Sequence, residues 1–269
     1  MIIGASSFAS PLEQLIDEVD SVELYVPKMG IYERRELQHD KVKAVTDILS
    51  TSCGLTSVHA PYYADVHTYP KALCIDTANM KGPDFKLLEE SIEIAVNFQS
   101  KVVVIHPGLV GNERSKSLTR MVDNLQQLSK VAGDHGVMLG LENKEGTAPE
   151  NLCCDAMELV RVVEQVNSDN LGVTFDVGHA NLTSQGDPDQ ISEFMETVQD
   201  WVVHVHVHDN MGVWTSEYAG DMHLAPGTGS VDMSIIERLG FSGIHNMEVF
   251  SMEDVIIGKK RLLTLNIFK

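Results

Sequence analysis

Nine acidic or imidazole side chains recur where short apolar runs of this chain end. His59 closes Leu-Thr-Ser-Val-His, His106 follows Val-Val-Val-Ile, and Glu142 closes Met-Leu-Gly-Leu-Glu. Asp176 ends Gly-Val-Thr-Phe-Asp, with His179 three residues on. His206 lies in an alternating Val-His segment, Asp221 and His223 lie in the stretch after it, and Glu248 lies in Asn-Met-Glu-Val-Phe. Four carboxylates and five imidazoles gathered at one place would repel and desolvate one another unless cations or protons compensated them. A divalent metal relieves that cost. An all nitrogen and oxygen donor set suits Zn, Mn, Fe or Co, the carboxylates argue against copper, and the histidines argue against calcium.

Each residue also has a plainer use. A single strand-end histidine is commonly a satisfied structural group. Asp176 sits where a carboxylate caps the next helix. His204, His206 and His208 alternate as one half-exposed strand face would.

Whether the nine meet depends on the elements that carry them. Runs rich in Val, Ile and Leu on both parities fall at about 2–6, 21–26, 55–60, 102–106, 137–142, 171–176, 201–208 and 244–250. Strands covered on both faces read this way, as in parallel sheets under helices. Helical patterns start at Pro11 and cover 41–50, 84–99, 117–135, 155–166, 188–199, 232–239 and 252–263. Eight strands alternating with eight helices in 269 residues predict one α/β domain spanning 1–269, a single-domain (β/α)8 TIM barrel. The longest connections, 61–83 and 209–230, then lie on the C-terminal face, where such barrels keep their chemistry.

Composition sets the outer limits. Hydrophobic residues make up 43% and charged residues 22%, an ordinary globular balance. Twenty Lys and Arg face 39 Asp and Glu, for a net charge of −19, which argues against a protein that coats nucleic acid with a broad basic surface. No apolar run reaches membrane-spanning length, so no membrane partner is expected. The N-terminal residues lack the pattern of a secretory signal. The four cysteines form no C-x-x-C pair, and a reduced, cytoplasmic setting is the expectation.

Taken in order, SVHAPY, VVIHPG, GLEN, TFDVGHA, HVHVHDN, DMHLAPGTG and MEVF resemble the xylose isomerase-like TIM-barrel superfamily, which holds sugar and sugar-phosphate isomerases and epimerases as well as endonuclease IV. The resemblance runs from the first strand to the last. In the isomerase and epimerase branch it implies one divalent ion held by Glu142, Asp176, His206 and Glu248. Glu142 and Glu248 move the proton, and His179 contacts a substrate oxygen, so the catalytic set is Glu142, Glu248 and His179. The substrate is a small sugar or sugar phosphate.

In the endonuclease IV branch, a phosphodiesterase acting at abasic DNA, the resemblance implies three zinc ions. His59, His106 and Glu142 hold one. Glu142, Asp176, His206 and Glu248 hold the second, and His179, Asp221 and His223 the third. DNA is a partner only on this alternative.

Departures touch both branches. The nuclease pattern C-x-D-T-C-H is replaced by Thr174-Phe-Asp-Val-Gly-His179, and H-L-N-D by His206-Val-His208-Asp209. Val22-Glu23-Leu24 is nearer the isomerases, whose characteristic arginine after the seventh strand has no counterpart within 209–220. Lys28, Arg34, Arg35, Arg114 and Lys116 are candidate grips for phosphate. Gly227-Thr-Gly229 reads as a backbone phosphate cradle or as a plain turn. Tyr62 and Tyr63 would stack on a substrate or pack their loop, and Trp214 would cover the site as a lid.

Overall fold

The computed structural model describes residues 1–51 and 54–265. Cys53 lies outside the described residues, and Cys74, Cys153 and Cys154 are free thiols. In chain order the elements are β1 (Ile2–Ser6), α1 (Leu12–Glu18), β2 (Ser21–Tyr25), the short strands β3 (Tyr32–Glu33) and β4 (Glu36–Leu37), α2 (His39–Leu49), β5 (Leu55–His59) and α3 (Gly82–Asn97). Then come β6 (Val102–Ile105), α4 (Arg114–His135), β7 (Met138–Glu142), α5 (Ala156–Val166), β8 (Leu171–Asp176), α6 (Val177–Thr183) and α7 (Pro188–Val198). The last are β9 (Val202–Val207), α8 (Ser234–Leu239), β10 (Ile244–Met247) and α9 (Met252–Leu262).

Eight parallel strands close on themselves in the order β1-β10-β9-β8-β7-β6-β5-β2, and β3-β4 is a separate antiparallel pair. The chain is therefore a single-domain (β/α)8 TIM barrel, as the repeat count predicts. Two features go beyond strict alternation. The β3-β4 pair fills the connection after β2, and α6 starts directly on the last residue of β8. A seven-residue helix containing Gly178 and Asn181 is too short and too polar to show a period. No described helix is long and apolar enough to cross a membrane.

Helix boundaries follow local chemistry. Asp155 caps α5 by accepting from the Glu158 amide at 2.9 Å, Asp187 caps α7 ahead of Pro188, and Ser251 caps α9. Gly136, at φ 66°, ends α4. The apolar faces of these helices cover the sheet through Leu87, Ile92, Met121, Leu125, Leu159 and Val163, all buried. Each such side chain contributes about 1.5–3 kcal/mol by leaving water.

One irregularity in the barrel matters for the site. Val173 pairs with Val202, but Thr174 pairs with His204 and Asp176 with His206, so Val203 is an extra residue on β9. Continued without that shift, the Val173–Val202 pairing would set Asp176 beside Val205. The bulge thus brings His206 level with Asp176 on the inner face. Gly172 lies against it: an added Cβ would stand 2.4 Å from Val203 Cγ1 and 2.7 Å from the Trp201 carbonyl oxygen. Gly172→Ala should therefore cost about 1–3 kcal/mol through overpacking, read as a lower thermal midpoint. An unchanged midpoint would show that the bulge does not need this glycine.

Candidate metal centre

Strand ends and the segments just past them carry the polar groups. His59 and Glu142 are the last residues of β5 and β7, and His106 and Glu248 follow β6 and β10 by one residue. Asp176 ends β8 and His179 sits in the first turn of α6, while His206 points inward from β9. Asp221 and His223 come from the β9–α8 connection. Contacts of 4 Å or less link all nine into one cluster at the C-terminal mouth.

Glu142 is the hub, fully buried. Its Oε2 lies 3.0 Å from His106 Nε2, 3.6 Å from His59 Nε2 and 3.4 Å from His206 Nδ1. Around His206 Nδ1, Glu248 Oε2 lies at 3.7 Å and Asp176 Oδ2 at 3.8 Å. The third group is looser: Asp221 Oδ2 lies 3.2 Å from His223 Nε2 and 3.6 Å from His179 Nε2. Donors around a cation with bonds of about 2.0–2.2 Å stand roughly 3.4 Å apart in a tetrahedral shell. The observed spacings bracket that value.

The residues fit a divalent ion by a second, independent criterion. Both carboxylate oxygens of Glu142, Oδ2 of Asp176 and Nδ1 of His206 are buried with no hydrogen-bond partner. Orphaned buried acceptors cost free energy unless something positive faces them. Asp176 divides its oxygens between two tasks. Oδ1 caps α6 by accepting from the His179 amide at 2.7 Å, which leaves Oδ2 for the site. The cap and the candidate ligand are thus one residue.

Backbone acceptors aim most of the imidazoles. The Nδ1–H of His59 donates to the Ala60 carbonyl at 3.0 Å, that of His179 to Asn143 at 2.8 Å and that of His223 to Glu248 at 2.7 Å. Each then turns Nε2 into the site. Asn143 also ties β7 to β8, accepting from the Asp176 amide at 2.8 Å and donating to the Asp176 carbonyl at 2.9 Å.

Electrostatics follow the crowding. Burial alone would raise Glu142, but the imidazoles of His106 and His206 hold it well below the usual carboxylate range. Burial raises Glu248, with the Glu142 charge adding to the effect against the pull of His206. Asp176 falls to about 2 despite burial, because His179 and His208 face it. Burial opposes charge on His223, yet Asp221 raises it to about 9. His106, with burial dominant, drops to about 4 and stays a neutral donor. Carboxylates this dry draw positive charge from whatever stands near them.

A cavity of about 350 Å³ opens above the cluster. Phe8, Tyr25, Tyr62 and Phe250 form its aromatic side, and Tyr62 stacks on His106 with ring centroids 3.9 Å apart. Lys28 and Lys144 also line it. Of the other candidate phosphate grips, Arg35 is engaged by Asp84, Arg114 by Glu158 and Lys116 by Glu113. Arg34 lines a separate surface groove.

Several readings of the sequence are corrected here. His204, His206 and His208 do not form a half-exposed face; all three are fully buried, because the parity that turns His206 inward turns its neighbours with it. The Gly227–Gly229 turn is not open to phosphate. Its amides donate to Asp209 Oδ2 at 3.0 and 2.8 Å, so the chain's own carboxylate fills the cradle. Trp214 does not line the cavity and instead donates from Nε1 to the Leu182 carbonyl. Tyr63 is exposed, and only Tyr62 faces the site.

Sequence reading missed Glu23, His204, His208 and Glu145. His208 Nε2 lies 3.1 Å from Asp176 Oδ1, and Glu145 Oε2 lies 3.6 Å from His179 Nε2. A charged residue inside the apolar strand Ser21–Tyr25 was the available signal for Glu23, since such groups are buried only when paired.

Comparison with known proteins accords with this architecture. Residues 18–264 match the family described as xylose isomerase-like TIM barrel. An uncharacterized protein of Methanocaldococcus jannaschii is 32% identical over 219 residues, 76% of this chain and 68% of that protein. A probable endonuclease 4 of Mesomycoplasma hyopneumoniae is 27% identical over 192 residues, 68% of this chain and 63% of the relative, so the match spans less than two thirds of that protein. Among solved structures, a D-tagatose 3-epimerase-like protein superposes with a TM-score of 0.79 at 26% identity, covering 98% of this chain and 96% of the other. With its closed parallel barrel and the donor cluster at its mouth, the chain belongs to the xylose isomerase-like TIM-barrel family.

Proposed function

We propose that the protein is a divalent-metal-dependent isomerase or epimerase of a small sugar or sugar phosphate. One observation carries this reading. Glu142 and Glu248 flank His206 Nδ1 at 3.4 and 3.7 Å on the floor of a cavity of about 350 Å³. That volume lies at the small end of ligand pockets and suits one polar metabolite. The likeness to a D-tagatose 3-epimerase-like protein supports the same class.

Glu142, Asp176, His206 and Glu248 would hold the ion, with Zn, Mn, Fe or Co compatible with the donors. When bound, the ion supplies Lewis acidity to a carbonyl and its neighbouring hydroxyl, which acidifies the C–H between them. The chain does the rest. One glutamate removes the proton from that carbon, and a glutamate returns it to the neighbouring carbon or to the opposite face. Glu248, raised by burial, is suited to carry a proton, while Glu142 stays ionised. His179 offers Nε2 to a substrate oxygen. Phe8, Tyr25, Tyr62 and Phe250 exclude water and offer faces to the sugar's C–H groups.

A second reading is favoured by a separate observation. His59 and His106 with Glu142, and His179 and Asp221 with His223, stand at ligand spacing on either side of the first group. Three ions in these places, together with the endonuclease 4 relative, would make an abasic-site phosphodiesterase.

Proton exchange tests the first reading. Metal-replete protein incubated in D2O with a panel of ketoses and their phosphates should place deuterium on the carbon next to the carbonyl of its substrate. Absence of exchange across the panel, with cleavage of a synthetic abasic duplex instead, would transfer the assignment to the nuclease. Glu142→Gln and Glu248→Gln should each lower the exchange rate by about 10²–10⁴-fold, the usual worth of a positioned acid or base. Full activity in either variant would remove that glutamate from the proton path. Elemental analysis should give about one tightly held ion per chain for the isomerase and three for the nuclease.

A further inference from the structure

His206 is oriented unlike its neighbours. His59, His179 and His223 spend Nδ1 on a backbone carbonyl and present Nε2. His206 does the reverse: Nδ1 faces Glu142, Glu248 and Asp176, and Nε2 lies 3.1 and 3.3 Å from the two oxygens of Glu23. Glu23 is fully buried, one layer deeper in the barrel. It accepts from His204 Nε2 at 2.9 Å, from Ser57 Oγ at 3.0 Å and from Asn246 Nδ2 at 3.0 Å as well. Five donors, with Ser6 Oγ at 3.5 Å, converge on this one carboxylate from β1, β5, β9 and β10. None of them is exposed, so its charge is answered wholly by hydrogen bonds.

We propose that Glu23 is a positioning residue that fixes the His206 tautomer with Nε2 protonated and Nδ1 bare. It thereby makes the Glu142–Asp176–His206–Glu248 group the tight metal site of the mouth. The inference rests on the reading of these four residues as metal ligands and adds a rank order to it. A carboxylate behind an imidazole fixes the ring and makes the far nitrogen a better donor than a carbonyl does. In the His59–His106 and His179–Asp221–His223 groups, His59, His179 and His223 have only carbonyls behind them and His106 Nδ1 has no hydrogen-bond partner. These groups are the sites an ion would enter last and leave first.

The geometry accounts for why the carboxylate stands here rather than elsewhere. His206 is the penultimate residue of β9, paired with Asp176 of β8 and Asn246 of β10, whereas His59, the last residue of β5, reaches the Ala60 carbonyl just past its strand. Its second nitrogen therefore needs a side-chain acceptor, and the inward residue of β2 supplies it.

Two measurements test the proposal. In ¹⁵N-histidine-labelled wild type, His206 should show a protonated Nε2 and an unprotonated Nδ1; the opposite tautomer would overturn it whatever any variant does. Titration of chelator-stripped protein with Co²⁺ should show one tight equivalent, and Glu23→Gln, whose amide can donate as well as accept, should weaken that equivalent by about 10–100-fold. The same variant should show a mixed or reversed His206 tautomer. A folded Glu23→Gln protein with unchanged tight-site affinity and unchanged tautomer would overturn the proposal. Wild type with no tight equivalent at all would instead overturn the metal reading on which it stands. Ser57→Ala, which removes a different donor to Glu23, should leave the tautomer unchanged; a tautomer change there would show that Glu23 alone does not set it.

Discussion

Three carboxylates, Glu142, Asp176 and Glu248, meet in a pocket that water barely reaches, and their desolvation is the constraint around which the mouth of this barrel is built. Glu142 has both oxygens buried without a hydrogen-bond partner. Asp176 has one, and the imidazole of His206 turns its unpartnered Nδ1 toward both. An isolated buried carboxylate is far too costly to keep ionised. Here His59, His179, His206 and His223, which the carboxylates raise against burial, answer part of that charge, and the donor spacings match a divalent cation. Replacing water around a charge with fixed polar groups is also what prepares a site to stabilise charge that develops during a reaction.

The barrel supplies the rigidity this demands. Each candidate ligand sits on a strand end or within one turn of it, except Asp221 and His223, which the β9–α8 connection delivers. That connection is itself pinned. Asp209 accepts from the amides of Gly227, Gly229 and Val231, and the Asp209–Leu224 bridge brings both ends of the loop together. Asn143 locks β7 against β8 directly beneath Glu142 and Asp176. The extra residue Val203 sets β9 in register so that its histidines share the inner face with Asp176. Side chains held by packing and hydrogen bonds from below lose little entropy when they bind an ion.

Strand and helix order were legible because buried parallel strands and amphipathic helices differ so plainly in period. The candidate donors stood out because most of them close a strand or lie within one turn of its end, and the C-terminal ends of barrel strands share one face. What escaped was set by parity and by long-range pairing. The alternation His204-x-His206-x-His208 looked the same whether it faced solvent or the barrel; only the strand's place in a closed barrel turns all three inward. Glu23 finds its partners 17, 34, 181, 183 and 223 residues away, so nothing adjacent to it in the chain identifies its task. The Gly227–Gly229 turn carried the composition of a phosphate cradle, and the carboxylate that fills it lies 18 residues upstream.

Choice between proton transfer and phosphodiester cleavage turns on which donors hold an ion during the reaction, since both chemistries fit the same residues. The narrow aromatic-walled cavity and the ion pairs that engage Arg35, Arg114 and Lys116 favour a small substrate. Beneath either choice lies the claim that the acidic cluster is stable because a cation answers it. Thermal unfolding of chelator-treated protein, with and without excess Zn²⁺, Mn²⁺ or Co²⁺, tests that claim most directly. Metal at a hundredfold excess over its dissociation constant should add about 2.7 kcal/mol, raising the midpoint by about 5 °C or more. Identical midpoints with chelator and with every metal would contradict it.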